Sequence, residues 1–454
     1  MIESTISQAA EWMHGTAHGD DVAFRGVSTD TRSLRAGELF VALQGPNFDG
    51  AAFLEQAAGR GAAGAVVGKE IKSNLPQIVV DDTLAALGRL AASWRGQMPA
   101  TVIGITGSNG KTTLKEMLAS CLSRSAETLA TEGNLNNAIG VPLMLLRIGT
   151  AHRFAVIEMG ANHAGEIAYL TALAAPRVVA ITNAAPAHLE GFGSVEGVAR
   201  AKGEILAGDP CPEIAILNAD DDYFEFWKEH ARDAQLVSFG LGDRADFRAS
   251  GILSTERGSE FTLHTPHAHF DVRLSLAGKH NVLNACAAAA IAASLGFGQE
   301  QIRQGLEVVR PVGGRLQPVT STTGAVLYDD SYNANPVSVR AAAEFIAAQP
   351  GRSWLVLGDM AELGGDAESL HAQCGQAIRA AGVDNLLAIG PLARKAVESF
   401  GPGARWFESI EALTDSLLAS VSAGDVVLVK GSRSMGMERV VSALTRVTSK
   451  ARSA

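Results

Sequence analysis

The chain has 454 residues, 47% of them hydrophobic and 19% charged. That balance excludes a disordered or fibrous chain, and at roughly 100–200 residues per domain it allows several packed domains. The formal net charge is −10 at pH 7 and Lys and Arg form no clustered stripe, which argues against a duplex-binding protein and leaves anionic small substrates open to a few placed cations.

Three blocks are read along the chain, 1–82, 83–312 and 313–454. The first carries short β-like runs at 38–43 (ELFVAL), 65–68 and 77–80 (QIVV). A helix is predicted over 83–94, because Asp81 and Asp82 are good cap residues. The second block opens on 101–106 (TVIGIT), apolar on both faces as in a buried parallel strand. A glycine turn at 107–110 and a helix over 111–123 follow. Further strands are predicted at 154–158 (FAVIE), 178–182 (VVAIT) and 214–217 (IAIL), with helices between them, so the sheet is expected to be mostly parallel and covered on both faces. A β-rich insertion is expected over 237–276 and a small-residue helix over 278–294. The third block repeats the alternation, with strands at 325–329, 354–357, 385–389 and 426–429 and a helix at 338–348, as a Rossmann-like unit. The expected class is α/β in three domains.

The four cysteines form no C-x-x-C pair and have no zinc-like spacing, which fits free thiols in a reducing compartment. The start carries Glu3 and Glu11 and no Lys or Arg, unlike a signal peptide. The most apolar run, 285–293, falls far short of the roughly 20 residues that span a bilayer. A cytoplasmic protein is expected.

The sharpest local signal is GITGSNGKTT at 104–113. Backbone N–H groups of a turn such as Gly107, Ser108, Asn109 and Gly110 point at phosphate oxygens, and the following helix adds positive potential. Lys111 can reach the terminal phosphates; the Thr112 hydroxyl can ligate Mg²⁺, with Thr113 beside it. The match to a phosphate loop is not strict, since Ile105 stands where the first glycine usually falls. Glu158 ends a predicted strand at the sheet edge where ligands collect, and a carboxylate there suits Mg²⁺, although it also reads as an ordinary strand-end acid. His188 follows the next strand and reads either as a structural histidine or as a ligand. Lys202 alone reads as a solvated helix lysine.

Ten motifs occur in order: GITGSNGKTT (104–113), EGNLNNAIGVP (132–142), EMGANHAGEI (158–167), TNAAPAHLEGFGS (182–194), ARAKGEI (199–205), GKHNVLNACAA (278–288), GGRLQ (313–317), DDSYNANPVS (329–338), LGDMAELG (357–364) and VKGSRSMGME (429–438). Together they resemble the ATP-dependent Mur ligases of peptidoglycan synthesis, over essentially the whole chain. Within that family the motifs are most similar to the member that joins D-Ala-D-Ala to UDP-MurNAc-tripeptide. The resemblance implies an ADP-forming amide ligase acting through an acyl phosphate, with a small α/β UDP-substrate domain, a central P-loop ATPase domain and a C-terminal Rossmann-like domain. It further implies ATP, two Mg²⁺ ions, a carbamylated Lys202 and a monomer that closes on nucleotide.

By motif match, Lys111, Glu158, His188 and Lys202 are the expected catalytic set, and Thr112, Glu158, His188 and Lys202 the expected metal set. Asn281 resembles an adenine contact, with a helix cap as the alternative; Arg315 resembles a hinge arginine reaching the phosphates, Asp330 a ribose contact, and Asn333 and Asn335 shapers of a phosphate-side loop. The first block resembles the holder of the UDP end, with Ser28 and Thr29 (of 28–32, STDTR) and Asp49 (of 47–50, NFDG) as candidates; such short runs also read as turns. Asn136, Asn137, Asn162 and His163 match the peptide cleft. Lys430, Ser432 and Arg433 offer cations or donors to an incoming carboxylate, and Asp359 and Glu362 can receive the dipeptide amine. A sister ligase such as folylpolyglutamate synthase, which lacks the first block, and a nucleotide-dependent switch protein are the alternatives.

Overall fold

A computed structural model describes residues 1–45, 48–231, 233–255 and 258–445. The first block carries a five-stranded sheet in the order Thr16–His18, Gln77–Val79, Gly64–Val67, Leu39–Val41, Val27–Ser28. All its pairings are parallel except that of Thr16–His18. The helix Thr83–Gly96 starts where expected: Asp82 accepts hydrogen bonds from the backbone N–H groups of Leu84 and Ala85, at 2.8 and 3.0 Å. Those bonds satisfy donors that a helix start otherwise leaves without partners.

That helix packs on Ile6–Met13 of the first block and on Gly140–Leu145 and Glu166–Ala174 of the second. One apolar cluster therefore runs from Ile6, Val41 and Ile78 through Leu87 and Leu90 to Val102 and Ile157. Burial of continuous apolar surface joins these two blocks firmly.

The central sheet has nine strands, in the order Thr128–Ala130, Phe154–Glu158, Thr101–Thr106, Val178–Ile181, Ile214–Asn218, Gln235–Gly240, Phe247–Thr255, Gly258–Thr265, Ala268–Leu274. The first seven pair in parallel and the last two antiparallel. The β-rich segment expected as an insertion thus continues the main sheet. The link is local: Asp246 accepts from Ser238 N–H and Oγ at 2.9 and 2.7 Å, fixing the pairs Phe239–Phe247 and Gly240–Arg248. Helices Lys111–Leu122 and Lys279–Ser294 cover one face. In the second of these, fully buried alanines from Ala285 to Ala292 allow the close packing that small side chains permit.

The third block is a six-stranded sheet, ordered Gln317–Thr320, Val326–Asp330, Val426–Lys430, Ser353–Gly358, Asn385–Ile389, Ala404–Phe407. Both outer strands went unread in the sequence. Gln317–Thr320 contains a proline and alternates half-buried with exposed residues, as edge strands do. The helix Pro336–Ala347 begins two positions before expectation, because Asn335 caps it by accepting from Ser338 N–H at 2.9 Å and Pro336 fits its first turn. The two cores of this block lie on either face of its own sheet, and among the described residues Ala277 alone of the central block joins one of them. Polar contacts otherwise line this seam. Among the described residues, no helix is long and apolar enough to cross a membrane.

Candidate active site at the seam of the central and third blocks

The strand Thr101–Thr106 runs into the turn 107–110 and then into the helix Lys111–Leu122. Ile105, where a stricter motif has glycine, is fully buried in the strand, and the chain turns only at Gly107. Gly107 has φ 141°, and a Cβ there would fall well inside contact distance of Thr182 Oγ1. Gly107→Ala is expected to cost about 1–3 kcal/mol in backbone strain before the clash is counted. Calorimetric nucleotide binding is expected to weaken sharply in that variant while far-UV circular dichroism stays native.

The next strand end holds the loop in shape. Asn109 N–H donates to Asn183 Oδ1 at 3.0 Å, and Asn109 C=O accepts from Thr182 Oγ1 at 2.6 Å and Asn183 Nδ2 at 3.2 Å. Its own Oδ1 accepts from Asn335 Nδ2 of the third block at 2.7 Å. Thr182 and Asn183 were not picked out from the sequence, although their place just after a strand in TNAAP is the signal that marks them. Lys111 folds back to donate to Gly107 O at 2.7 Å. Burial holds its ammonium pKa below the usual lysine value, with Arg315 adding to the effect and Glu158 opposing it.

Glu158 is 2% exposed. Its Oε2 accepts from Thr112 Oγ1 at 2.9 Å and its Oε1 from Asn136 Nδ2 at 2.8 Å. Two donors thus aim a buried carboxylate, and each oxygen retains a lone pair. His188 Nδ1 is hydrogen-bonded to Glu362, a residue of the third block. Burial lowers the His188 pKa, while Glu362 opposes that shift.

Lys202 is 2% exposed and sits 5.3 Å from the Phe192 ring centroid. It is far from the solvated lysine that its motif suggests in isolation. Burial first, and Lys111 second, bring its pKa down to about 7, against the opposing charges of Glu166 and Glu204.

A cavity of about 1070 Å³ connects the phosphate loop, Glu158 and His188, and Lys202 lies outside its wall. Its wall includes Ser108 to Thr113, Asn136, Asn137, Glu158, Asn162 and His188 from the central block and Arg315, Asp330, Asn333, Asn335 and Lys430 from the third. Asn281 also lines it, and Gly278 rather than Asn281 is the cap of its helix. The Asn281 amide donates to Ala277 O at 2.7 Å. Arg315 stacks 4.4 Å from the Tyr332 ring centroid. Asp330 Oδ2 accepts from Lys430 Nζ at 2.7 Å, and Lys430 also donates to Asn333 O at 3.0 Å. Lys430, expected to offer a cation to an incoming carboxylate, is paired with Asp330 in this structure.

Other expected contacts are placed elsewhere. Ser432 Oγ accepts from Ala361 N–H at 2.7 Å, and Asp359 Oδ1 accepts from Ala393 N–H at 2.6 Å, so both hold the local fold. Arg433 is exposed, 3.6 Å from Glu438. Glu362, expected to meet an amine, faces His188 instead. His163 is exposed, beside Glu166. Ser28, Thr29 and Asp49 lie in the first block, outside the wall of this cavity. Ser28 bonds Asp30 and Asp49 accepts from Ala51 N–H at 3.0 Å, which are the turn-forming bonds that such runs also predict. Asn47 lies outside the described residues.

The donor set suits Mg²⁺. A hydroxyl and one carboxylate stand at a phosphate loop, the arrangement that a hard cation sharing substrate phosphates uses. Among the described residues, no group of three or more His, Cys, Asp and Glu side chains is poised to hold a metal by itself. A second ion would need a further oxygen donor near His188.

Comparison with known proteins covers all three blocks. Residues 23–95 match the model of the Mur ligase family catalytic domain, 105–292 that of the Mur ligase middle domain and 314–433 that of the Mur ligase glutamate ligase domain. The chain is 45% identical over 446 residues, 98% of its length and 99% of the relative's, to the UDP-N-acetylmuramoyl-tripeptide–D-alanyl-D-alanine ligase of Escherichia coli K12. Its fold superposes on a crystal structure of MurF from Acinetobacter baumannii with a TM-score of 0.92 at 37% identity, covering 98% of this chain and 99% of that one. For the MurF ligase of Thermotoga maritima in complex with ADP the values are 0.82 and 28%, covering 92% and 97%.

Proposed function

This chain belongs to the Mur ligase family, and from that membership we propose how its residues work. It is an ATP-dependent ligase that joins D-alanyl-D-alanine to UDP-N-acetylmuramoyl-tripeptide and releases ADP and phosphate. The observation that carries the reading is the convergence of Lys111, the Thr112–Glu158 pair and His188 on one cavity between two blocks, in a chain matched over its length by relatives of that name.

The terminal carboxylate of the tripeptide attacks the γ-phosphorus of ATP, and the bond to the β-phosphate oxygen breaks. The dipeptide amine then attacks the acyl carbon, phosphate leaves and the amide forms. The difficulty is electrostatic, because two anions must meet. Backbone N–H groups of 107–110 cradle the triphosphate, Lys111 places its ammonium on it, and Arg315 reaches it from the third block. Glu158 and Thr112 would hold one Mg²⁺, and His188 with a carbamylated Lys202 the other. When bound, the ions neutralise the phosphates and the attacking carboxylate. The free amine of Lys202 takes up CO₂ and releases a proton, which turns a buried cation into the oxygen donor that the second position needs.

Asn281 and Asp330 face the nucleoside, Asn333 shapes the phosphate-side loop, and Asn136, Asn137 and Asn162 face the peptide. The UDP end rests on the first block near Ser28, Thr29 and Asp49. Seating of the third block excludes water from the acyl phosphate. The enzyme works as a monomer in the cytoplasm.

Tripeptide substrate labelled with ¹⁸O in its terminal carboxylate tests this route. The expected result is one labelled oxygen in the released phosphate and a product heavier by one D-Ala-D-Ala residue pair. Unlabelled phosphate, or transfer of a different amine, contradicts it.

A further inference from the structure

Two non-glycine residues face each other across the seam with left-handed backbones, His188 at φ 55° and Glu362 at φ 63°. Non-glycine side chains rarely hold that conformation unless the surroundings impose it. Here both side chains meet, and Glu190 N–H also donates to Glu362 O at 3.2 Å. The loop that presents Glu362 is anchored on its own block. Ala361 N–H is held by Ser432 Oγ, Met360 N–H donates to His371 Nε2 at 2.9 Å, and Met360 and Leu363 are buried. Glu362 therefore moves with the third block, whereas His188 belongs to the central one.

We infer that Glu362 is a positioning residue that fixes the tautomer of His188 when the third block is seated. With a carboxylate oxygen of Glu362 as the acceptor opposite Nδ1, the proton sits on His188 Nδ1 and Nε2 keeps the lone pair. A histidine held this way presents Nε2 to a cation with its ring orientation set. The histidine side of the metal site is then complete only in the closed arrangement, which ties nucleotide-site assembly to the position of the third block. The inference rests on the reading of His188 as a metal ligand proposed above.

The test uses the full-length chain with ¹⁵N-labelled histidine and a non-hydrolysable ATP analogue, without metal, with the His188 signals assigned from a His188→Gln variant. The wild type is expected to show a protonated Nδ1 and an unprotonated Nε2. Glu362→Ala is expected to lose that pattern, and Glu362→Gln, whose amide oxygen still accepts, to keep part of it. Binding of Mn²⁺ to the analogue complex, followed by electron paramagnetic resonance, is expected to weaken roughly 10–100-fold at one site in Glu362→Ala. A wild-type His188 protonated at Nε2 overturns the inference whether or not the variants fold. So do unchanged His188 signals or unchanged Mn²⁺ affinity in Glu362→Ala. Ligation by the wild type is scored separately. An inactive wild type with the expected His188 pattern removes the proposed reaction and leaves the positioning contact standing.

Discussion

Lys202→Ala is expected to lower ligation by at least about 10²–10³-fold, the scale on which removal of one placed electrostatic group acts, and added acetate or formate is expected to restore part of the rate. The side chain is almost wholly buried, and among the described residues no carboxylate forms a hydrogen bond or ion pair with its ammonium. A lysine kept charged there is a poor structural choice. With its pKa brought down to about 7, a large fraction is free amine near neutrality, the form that reacts with CO₂. A small carboxylic acid can occupy the space that the truncated side chain vacates and supply the missing oxygens. Full activity of Lys202→Ala in bicarbonate-free buffer excludes the carbamate.

The pH dependence follows with a definite sign. The folded-state pKa of Lys202 lies below its unfolded value of 10.5, so burying the charged form costs stability. That cost is fully present below about pH 7 and fades as pH rises toward 10.5. The carbamate carbonyl signal from ¹³C-bicarbonate is accordingly expected to grow as pH rises through about 7. A signal that falls over that range contradicts the assignment.

Lys111→Met is expected to reduce kcat/KM on the order of 10³-fold, because a cation aimed at the transferring phosphoryl group is lost. Its stability should move the other way. Burial already disfavours the Lys111 ammonium, so an apolar chain of similar length removes that penalty, against a loss of about 1 kcal/mol for the hydrogen bond to Gly107 O. The melting temperature is expected to hold or rise while turnover collapses, the trade-off expected of a strained functional group. A large drop in melting temperature would mark Lys111 as structural.

The strands that carry this site were legible because burial on both faces leaves continuous apolar runs. TVIGIT and FAVIE became strands over the predicted residues, and Lys111 and Glu158 follow from where those strands end. The outer strands Thr128–Ala130 and Ala404–Phe407 were missed, since half-exposed edges of three and four residues carry no such pattern. Lys202 had no local signal at all. Its burial depends on the packing of Phe192 and of the helix Glu166–Ala174 against its own helix, contacts that a helix sequence does not display. Polar residues at the seam behaved similarly: Lys430 and Asp330 are 100 positions apart and neutralise each other only once their parallel strands pair. The Glu362–His188 contact joins two blocks, and no property of either motif alone points to it.

The central claim is that ATP cleavage here is coupled to one acid–amine pair. Phosphate release from ATP and Mg²⁺ measures it most directly, with UDP-MurNAc-tripeptide present and D-Ala-D-Ala supplied or withheld. Sustained release is predicted only with both substrates, one phosphate for each pentapeptide formed. Nucleotide binding without turnover on that pair contradicts the account: turnover with another acid and amine would make this chain a sister ligase on the same scaffold, and none with any pair would make it a nucleotide switch.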